Sequence, residues 1–149
     1  MNKLLLPYPW KTAGYLLTGC GSALAILYFF FDFKFKMDVF AIYSSFLETK
    51  MFAIIRTNVA DELILLLLLA GMGLIIFSRE KIETPHLDAF RTFSLVRALL
   101  FNIIFLFLTI LFVYGSGFIT ILVINLLTFP LLYLFFFYIH YRKEKNRIM

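Results

Sequence analysis

The chain consists of strongly apolar runs separated by polar intervals, and the interval 78–97 is the long break between two apolar halves. A helix crosses a bilayer core of about 30 Å with about 20 residues. The runs therefore predict four transmembrane helices, at about 12–31, 54–78, 98–114 and 118–141. We expect an all-α polytopic membrane protein in which two helix hairpins are joined by the loop 79–97.

The first predicted loop has a pattern of its own, because its apolar residues recur at helical spacing with charged residues mostly between them. The apolar positions are Val39, Phe40, Tyr43, Phe46, Leu47, Met51, Ile54 and Ile55. This spacing predicts an amphipathic helix outside the membrane, lying either on the bilayer surface or as a lid over the bundle. A ligand site beneath that lid and a packing role both remain open.

Composition supports a membrane protein. The 149 residues are 62% apolar and 15% charged, against about 45–50% and 25% in soluble domains. Four helices and their loops use the whole chain, so we expect residues 1–149 to form a single membrane domain. A net charge of +5 would suggest nucleic acid as partner of a soluble protein. In a membrane protein, the usual excess of lysine and arginine in cytoplasmic loops explains this positive charge. We therefore expect no direct nucleic-acid binding.

The distribution of charge predicts the orientation. The N-terminal lead, the central loop with its flanks and the tail after Tyr141 hold ten basic residues, whereas the opposite side holds four basic and five acidic residues. Basic residues collect on the cytoplasmic side of membrane proteins. We therefore predict a multi-pass protein of the bacterial inner membrane with both termini in the cytoplasm. Its basic loop and tail would attract anionic headgroups at about 1 kcal/mol per residue.

The first helix carries small residues on one face, at Gly14, Thr18, Gly21 or Ser22, and Ala25. Small residues let a neighbouring helix approach closely, either within the bundle or in a second copy of the chain. Residues 17–20 also match the cleavage box of bacterial lipoproteins. The apolar segment before them is interrupted and the one after them stays apolar, which a lipoprotein signal does not do. We therefore expect Cys20 to be a buried helix residue.

Several polar residues lie within or beside the predicted helices. Ionisable groups at membrane depth are costly and are usually paired or functional, and buried amides hydrogen-bond neighbouring helices. We expect the acidic pair near the outer headgroups, the amides at membrane depth and the basic residues of the central loop to be the candidate interaction sites. They are Asp61, Glu62, Arg79, Lys81, Arg91, Arg97, Asn102 and Asn125.

The chain has little that indicates an enzyme. Residues 78–81 spell S-x-x-K without the companion motifs of the penicillin-binding enzymes. Residues 83–86 spell E-x-x-H once, and the proline inside breaks the helical turn that a di-metal bundle requires. His86 and His140 are isolated from other candidate catalytic groups. We expect no catalytic residues, no metal and no cofactor.

A set of short motifs resembles one known group of proteins. These motifs are Asp61-Glu62 before a leucine run and a glycine, the segment 77–83, Arg91, Ser94-Leu95, Tyr114-Gly115 and Asn125. Over about the last ninety residues the chain resembles small four-helix bacterial membrane proteins of unassigned function. Members are often encoded beside a small helix-turn-helix regulator. In that group the segment after the glutamate usually stays acidic, whereas here it continues as residues 84–86, Thr-Pro-His.

Two functional hypotheses follow from these patterns. In the first, the protein is a non-enzymatic accessory or regulatory subunit, or a homo-oligomer, which presents its cytoplasmic loop and basic tail to a protein partner or to anionic lipid headgroups. In the second, it is a small transporter or channel subunit that uses its intramembrane polar residues. The second hypothesis lacks the internal repeat that transporters show.

Overall fold

The computed structural model describes residues 5–45, 49–81 and 86–148. Their elements are helix α1 (Tyr8–Phe31), strand β1 (Lys36–Ser45), strand β2 (Thr49–Asn58) and helices α2 (Ala60–Phe77), α3 (Leu87–Phe112) and α4 (Ser116–Ile148). Within these residues, four helices are long and apolar enough to cross a membrane. The mostly helical fold with four potential membrane spans is confirmed.

The predicted amphipathic helix of the first loop is wrong, and with it the all-α class. Strands β1 and β2 pair antiparallel over this stretch, with Val39 opposite Ile55 and Phe40 opposite Ile54. Aromatic and β-branched residues are frequent here, and these residues favour a pleated surface over a helix. The strands form a two-stranded sheet, in which cross-strand hydrogen bonds pair the backbone groups that face the partner strand. Residues 46–48 at the tip lie outside the described residues.

Helices α2 and α3 differ from their predicted bounds. Helix α2 begins at Ala60 rather than residue 54, because 54–58 belong to β2. Helix α3 begins at Leu87 rather than residue 98, and His86 precedes it. Most of the predicted loop 79–97 is therefore helical.

The outer helices are also longer than predicted. Helix α1 begins at Tyr8 instead of residue 12, since Pro9 suits the first turn of a helix. Helix α4 runs through Pro130 without a break and includes the basic segment after Tyr141. Cys20 is exposed on α1 rather than buried.

Helices α1 and α2 cross at glycines. A Cβ atom at Gly14 would lie 2.8 Å from the Gly71 carbonyl oxygen, and one at Gly71 would lie 2.6 Å from the Thr18 amide nitrogen. A Cβ at Gly21 would lie 3.1 Å from Leu68 Cγ. As the residue number rises along α1 it falls along α2, so these helices run antiparallel. The small face of α1 packs against α2.

Helices α3 and α4 also run antiparallel, with Asn102 beside Asn125 and Phe90 beside His140. The buried apolar cluster lies between them, and α2 reaches it through Ile76. Its members are Leu87, Ala98, Tyr133 and Phe137. We call the end where α1 and α3 begin the basic end, and the opposite end, which carries the strands, the sheet end.

Candidate interaction surface at the basic end

The basic end contains a buried ion pair. The Lys11 ammonium donates to the Glu80 carboxylate, and the side chains are only 3% and 7% exposed. Lys11 lies in the first turn of α1, and Glu80 lies three residues past the end of α2. Because a buried charge is costly unless it is paired, this contact ties the start of α1 to the segment after α2.

The chain segment before α1 brings these two side chains together. The Leu6 amide donates to the Phe77 carbonyl at 2.8 Å, and the Arg79 amide donates to the Leu6 carbonyl at 2.9 Å. The Ser78 hydroxyl donates to the Leu74 carbonyl at 2.5 Å, which satisfies a carbonyl in the last turn of α2. Residues 78–80 are thus held against the N-terminal lead.

Two cations lie over the Phe137 ring of α4. Lys11 Nζ and the Arg91 guanidinium carbon are each 5.9 Å from the ring centroid. Arg91 is 2% exposed and donates to Asp88 across 3.4 Å. Cations over aromatic faces are attracted most strongly where water is excluded. Side chains of α1, α3 and α4 therefore meet with Glu80 at one buried point.

Three tyrosines and a serine lie on the helices that form this cluster. The hydroxyls of Tyr15 and Tyr138 hydrogen-bond each other and so connect α1 with α4. Tyr133 and Phe137 stack with ring centroids 6.1 Å apart. Ser94, one turn after Arg91, is fully buried, and its hydroxyl has no hydrogen-bond partner within the described part of the chain.

The predicted basic residues of the central loop fall into two classes. Arg91 is buried in the cluster just described, because it lies on the inward face of α3. Arg79, Lys81 and Arg97 are exposed, as are Arg142 and Lys143 on α4. Arg97 lies over the Phe93 ring at 4.3 Å. The structure therefore places a buried charge cluster and an exposed basic surface at the same end.

The remaining predicted residues lie elsewhere. Asn102 of α3 and Asn125 of α4 bond each other through their carboxamides, at 3.1 and 3.5 Å. Asp61 and Glu62 are exposed in the first turn of α2, at the sheet end. Acidic side chains there stabilise the helix, because they interact with the partial positive charge at its N-terminus.

Sequence reasoning missed the most buried ionic contact, the pair of Lys11 and Glu80. The two residues are 69 positions apart, and the predicted first helix begins after Lys11. The position of Lys11 inside an apolar helix was the available signal, since an intramembrane cation usually has a partner. Nothing in the sequence identified Glu80 among the neighbouring charges.

His140 packs against aromatic side chains of α3, whereas His86 is exposed. His140 Nδ1 lies 2.8 Å from the Phe136 carbonyl oxygen. The centroid of its ring lies 5.8 Å from the ring centroids of both Phe90 and Phe93. Among the described residues, no group of three histidine, cysteine or carboxylate side chains is arranged to hold a metal ion. The basic end thus combines exposed cations with a buried ion pair and buried cation–aromatic contacts.

No family model, curated protein or solved structure matches this chain.

Proposed function

We propose that this chain is a non-enzymatic protein of the bacterial inner membrane, crossing it four times as two helix hairpins with both termini in the cytoplasm. It acts as an accessory or regulatory subunit and contacts a protein partner or anionic lipid headgroups through its basic end. The observation that carries the proposal is the exposed basic surface formed by Arg79, Lys81, Arg97, Arg142 and Lys143.

The dimensions of α2 support the membrane placement. Its 18 residues extend about 27 Å, close to the bilayer core of about 30 Å. Asp61 and Glu62 would then lie at one surface, and the segment from Ser78 at the other. The surface at the basic end would face the cytoplasm, because that end carries the excess of basic residues.

The buried cluster supports a docking role for this end. Lys11, Glu80 and Arg91 hold the ends of four helices in one arrangement, so the exposed cations around them stand on a rigid base. Preorganised charges lose less freedom on binding than charges on a flexible tail. A partner with an acidic surface, or a leaflet rich in anionic lipid, would meet a defined pattern of positive charge.

The experiment compares charge reversal at the two ends in living cells. Photo-cross-linking residues introduced at Phe93 would capture neighbouring molecules in the native membrane. We expect the triple variant Lys81→Glu, Arg142→Glu, Lys143→Glu to lose the cross-linked species. The matched variant Lys36→Glu, Arg56→Glu, which reverses charges at the sheet end, should retain them. Equal cross-linking in both variants would refute the docking surface, and external labelling of a cysteine at position 143 would refute the orientation.

The transporter or channel hypothesis has less support. Asn102 and Asn125 satisfy each other, and Asp61 and Glu62 lie at the sheet end, so the candidate polar residues do not line one path. Rapid release of ions or small solutes from vesicles containing the purified protein would favour that hypothesis instead.

A further inference from the structure

The two-stranded sheet carries large apolar side chains on an exposed face. Side chains alternate between the two faces of a strand, so Phe40 and Ile42 share a face, which Ile54 joins because it lies opposite Phe40. The ring centroids of Phe40 and Phe52 are 6.4 Å apart, which places Phe52 on this face as well. These four side chains are 65–75% exposed. We call this surface the outer face, and its apolar members are Phe40, Ile42, Phe52 and Ile54.

The opposite face differs, because its central residues are half-buried and two of them are small. Val39 lies opposite Ile55 there, and Ala41 lies opposite Ala53. A sheet with one face in water normally turns its large apolar side chains away from the water. Here they are on the exposed face, and none of the described helices packs extensively against the sheet. Hydrocarbon is a poor cover, because the outer edges of a two-stranded sheet leave backbone groups unpaired. The outer face therefore suits another protein surface.

Two charges at one end of the outer face make it self-complementary. Asp38 lies opposite Arg56, and both belong to the outer face because each is two residues from an apolar member. Both side chains are exposed, and neither has an ion pair or hydrogen bond within the described part of the chain. A two-fold axis parallel to the strands places β1 of one copy over β2 of a second copy, at the same level. Asp38 of each copy then faces Arg56 of the other.

We infer that two copies of this chain pair through the outer faces of their sheets. The inference rests on the proposed membrane placement, since copies inserted in the same direction are related by a two-fold axis along the membrane normal. When the strands stand upright on the ends of α1 and α2, that axis is parallel to them. Stacked sheets pack about 10 Å apart with their strands nearly aligned. Eight large apolar side chains are then covered, which is on the order of the 1,000 Å² that a specific interface needs.

The test is dimerisation of the full-length protein in detergent micelles, measured by energy transfer between copies labelled with donor or acceptor at the exposed Cys20. We expect wild-type copies to show transfer above the level that chance occupancy of one micelle gives. Asp38→Lys sets a cation against Arg56 of the other copy, and Arg56→Glu sets a carboxylate against Asp38. Each variant alone should therefore dimerise about tenfold or more weakly. Mixing the two variants should restore dimers, because both contacts then join opposite charges.

A second comparison tests the apolar part of the outer face. Ile42→Ser changes this face, and Met51→Ser makes a comparable change at an equally exposed position of the opposite face. We expect the first variant to lose energy transfer and the second to keep it, with circular dichroism showing that both are folded. Equal transfer by these two variants would overturn the inference, as would folded charge variants that mixing does not restore. A wild-type protein without transfer would also overturn it and leave lipid as the cover. The charge-reversed variant of the basic end should dimerise normally, so failure of the docking proposal is read separately.

Discussion

The basic end contains an ion pair buried between helices, whereas the sheet end contains an exposed ion pair. The side chains of Lys11 and Glu80 are 3% and 7% exposed, while those of Lys34 and Asp32 are 54% and 82% exposed. Both are ion pairs between a lysine and a carboxylate. The comparison shows that burial decides what such a pair does. Removing one partner of a buried pair leaves an uncompensated buried charge and greatly lowers stability. Removing one partner of an exposed pair has little effect, because water solvates the remaining charge.

The same contrast extends to helix packing. At the basic end, side chains of α1, α3 and α4 meet around Phe137 together with Glu80. At the sheet end, Asn58 ties the chain before β1 to the start of α2. We infer that the basic end holds the bundle together, and that the sheet end contributes local order. The following predictions test this difference, from the largest expected effect to the smallest.

Replacing Lys11 with methionine should destabilise the protein by about 3–5 kcal/mol, because it removes one member of a buried ion pair. Adding Glu80→Met to Lys11→Met should recover part of this loss, since the carboxylate of the broken pair is then removed as well. The free energy of unfolding in mixed detergent micelles, followed by circular dichroism, measures both effects. The exposed control Lys34→Met should leave stability unchanged. If Lys11→Met and Lys34→Met changed the free energy of unfolding equally, burial would not distinguish the ion pairs of the two ends.

Replacing Gly71 with alanine should destabilise the protein by about 1–3 kcal/mol, because a Cβ there overlaps the backbone of α1 and forces the helices apart. The matched control is Gly73→Ala, since a Cβ at that position meets nothing within 4 Å. The control should be neutral or stabilising by up to about 1 kcal/mol, as alanine favours a helix. The same unfolding measurement distinguishes them. If both variants were stabilised, the glycine crossing would not be needed to bring Lys11 to Glu80.

Replacing Asn102 with leucine should cost about 0.6–1.7 kcal/mol, the range for hydrogen bonds between membrane helices. The Asn125 carboxamide then loses its partner on α3. Thr128→Val serves as a control, because the Thr128 hydroxyl bonds only the Ile124 carbonyl of its own helix among the contacts described. A thermal unfolding shift for Asn102→Leu no larger than that of the control would show that the amide pair adds nothing to the packing of α3 on α4.

Much of the fold could be predicted from the chain because four of its helices are long apolar segments of membrane-spanning length. Long apolar runs must be helical, since only a helix satisfies its own backbone within a bilayer. The small face of α1 was visible in the spacing of Gly14, Thr18 and Gly21, because small residues have few other uses in such a helix. The first loop was not predictable in the same way. Its apolar residues recur at helical spacing, and the pairing of β1 with β2 overrides that pattern.

The candidate site was predicted in part. The basic residues of the central segment could be named from charge alone, but their division into a buried Arg91 and an exposed Arg97 could not. Both residues lie on α3, six positions apart, and the helix turns one inward and the other outward. The prediction of a loop over 79–97 hid this division, since residues in a loop have no fixed inward face.

The sequence by itself determined the membrane-length helices found among the described residues, because their number depends on the hydrophobicity of continuous segments. Only the tertiary structure decided which charges are buried. Lys11 meets Glu80 across 69 positions because the glycine crossing of α1 and α2 and the pairing of Leu6 with Ser78 bring distant segments together. Burial is a property of what surrounds a side chain, and those surroundings exist only after the helices have packed.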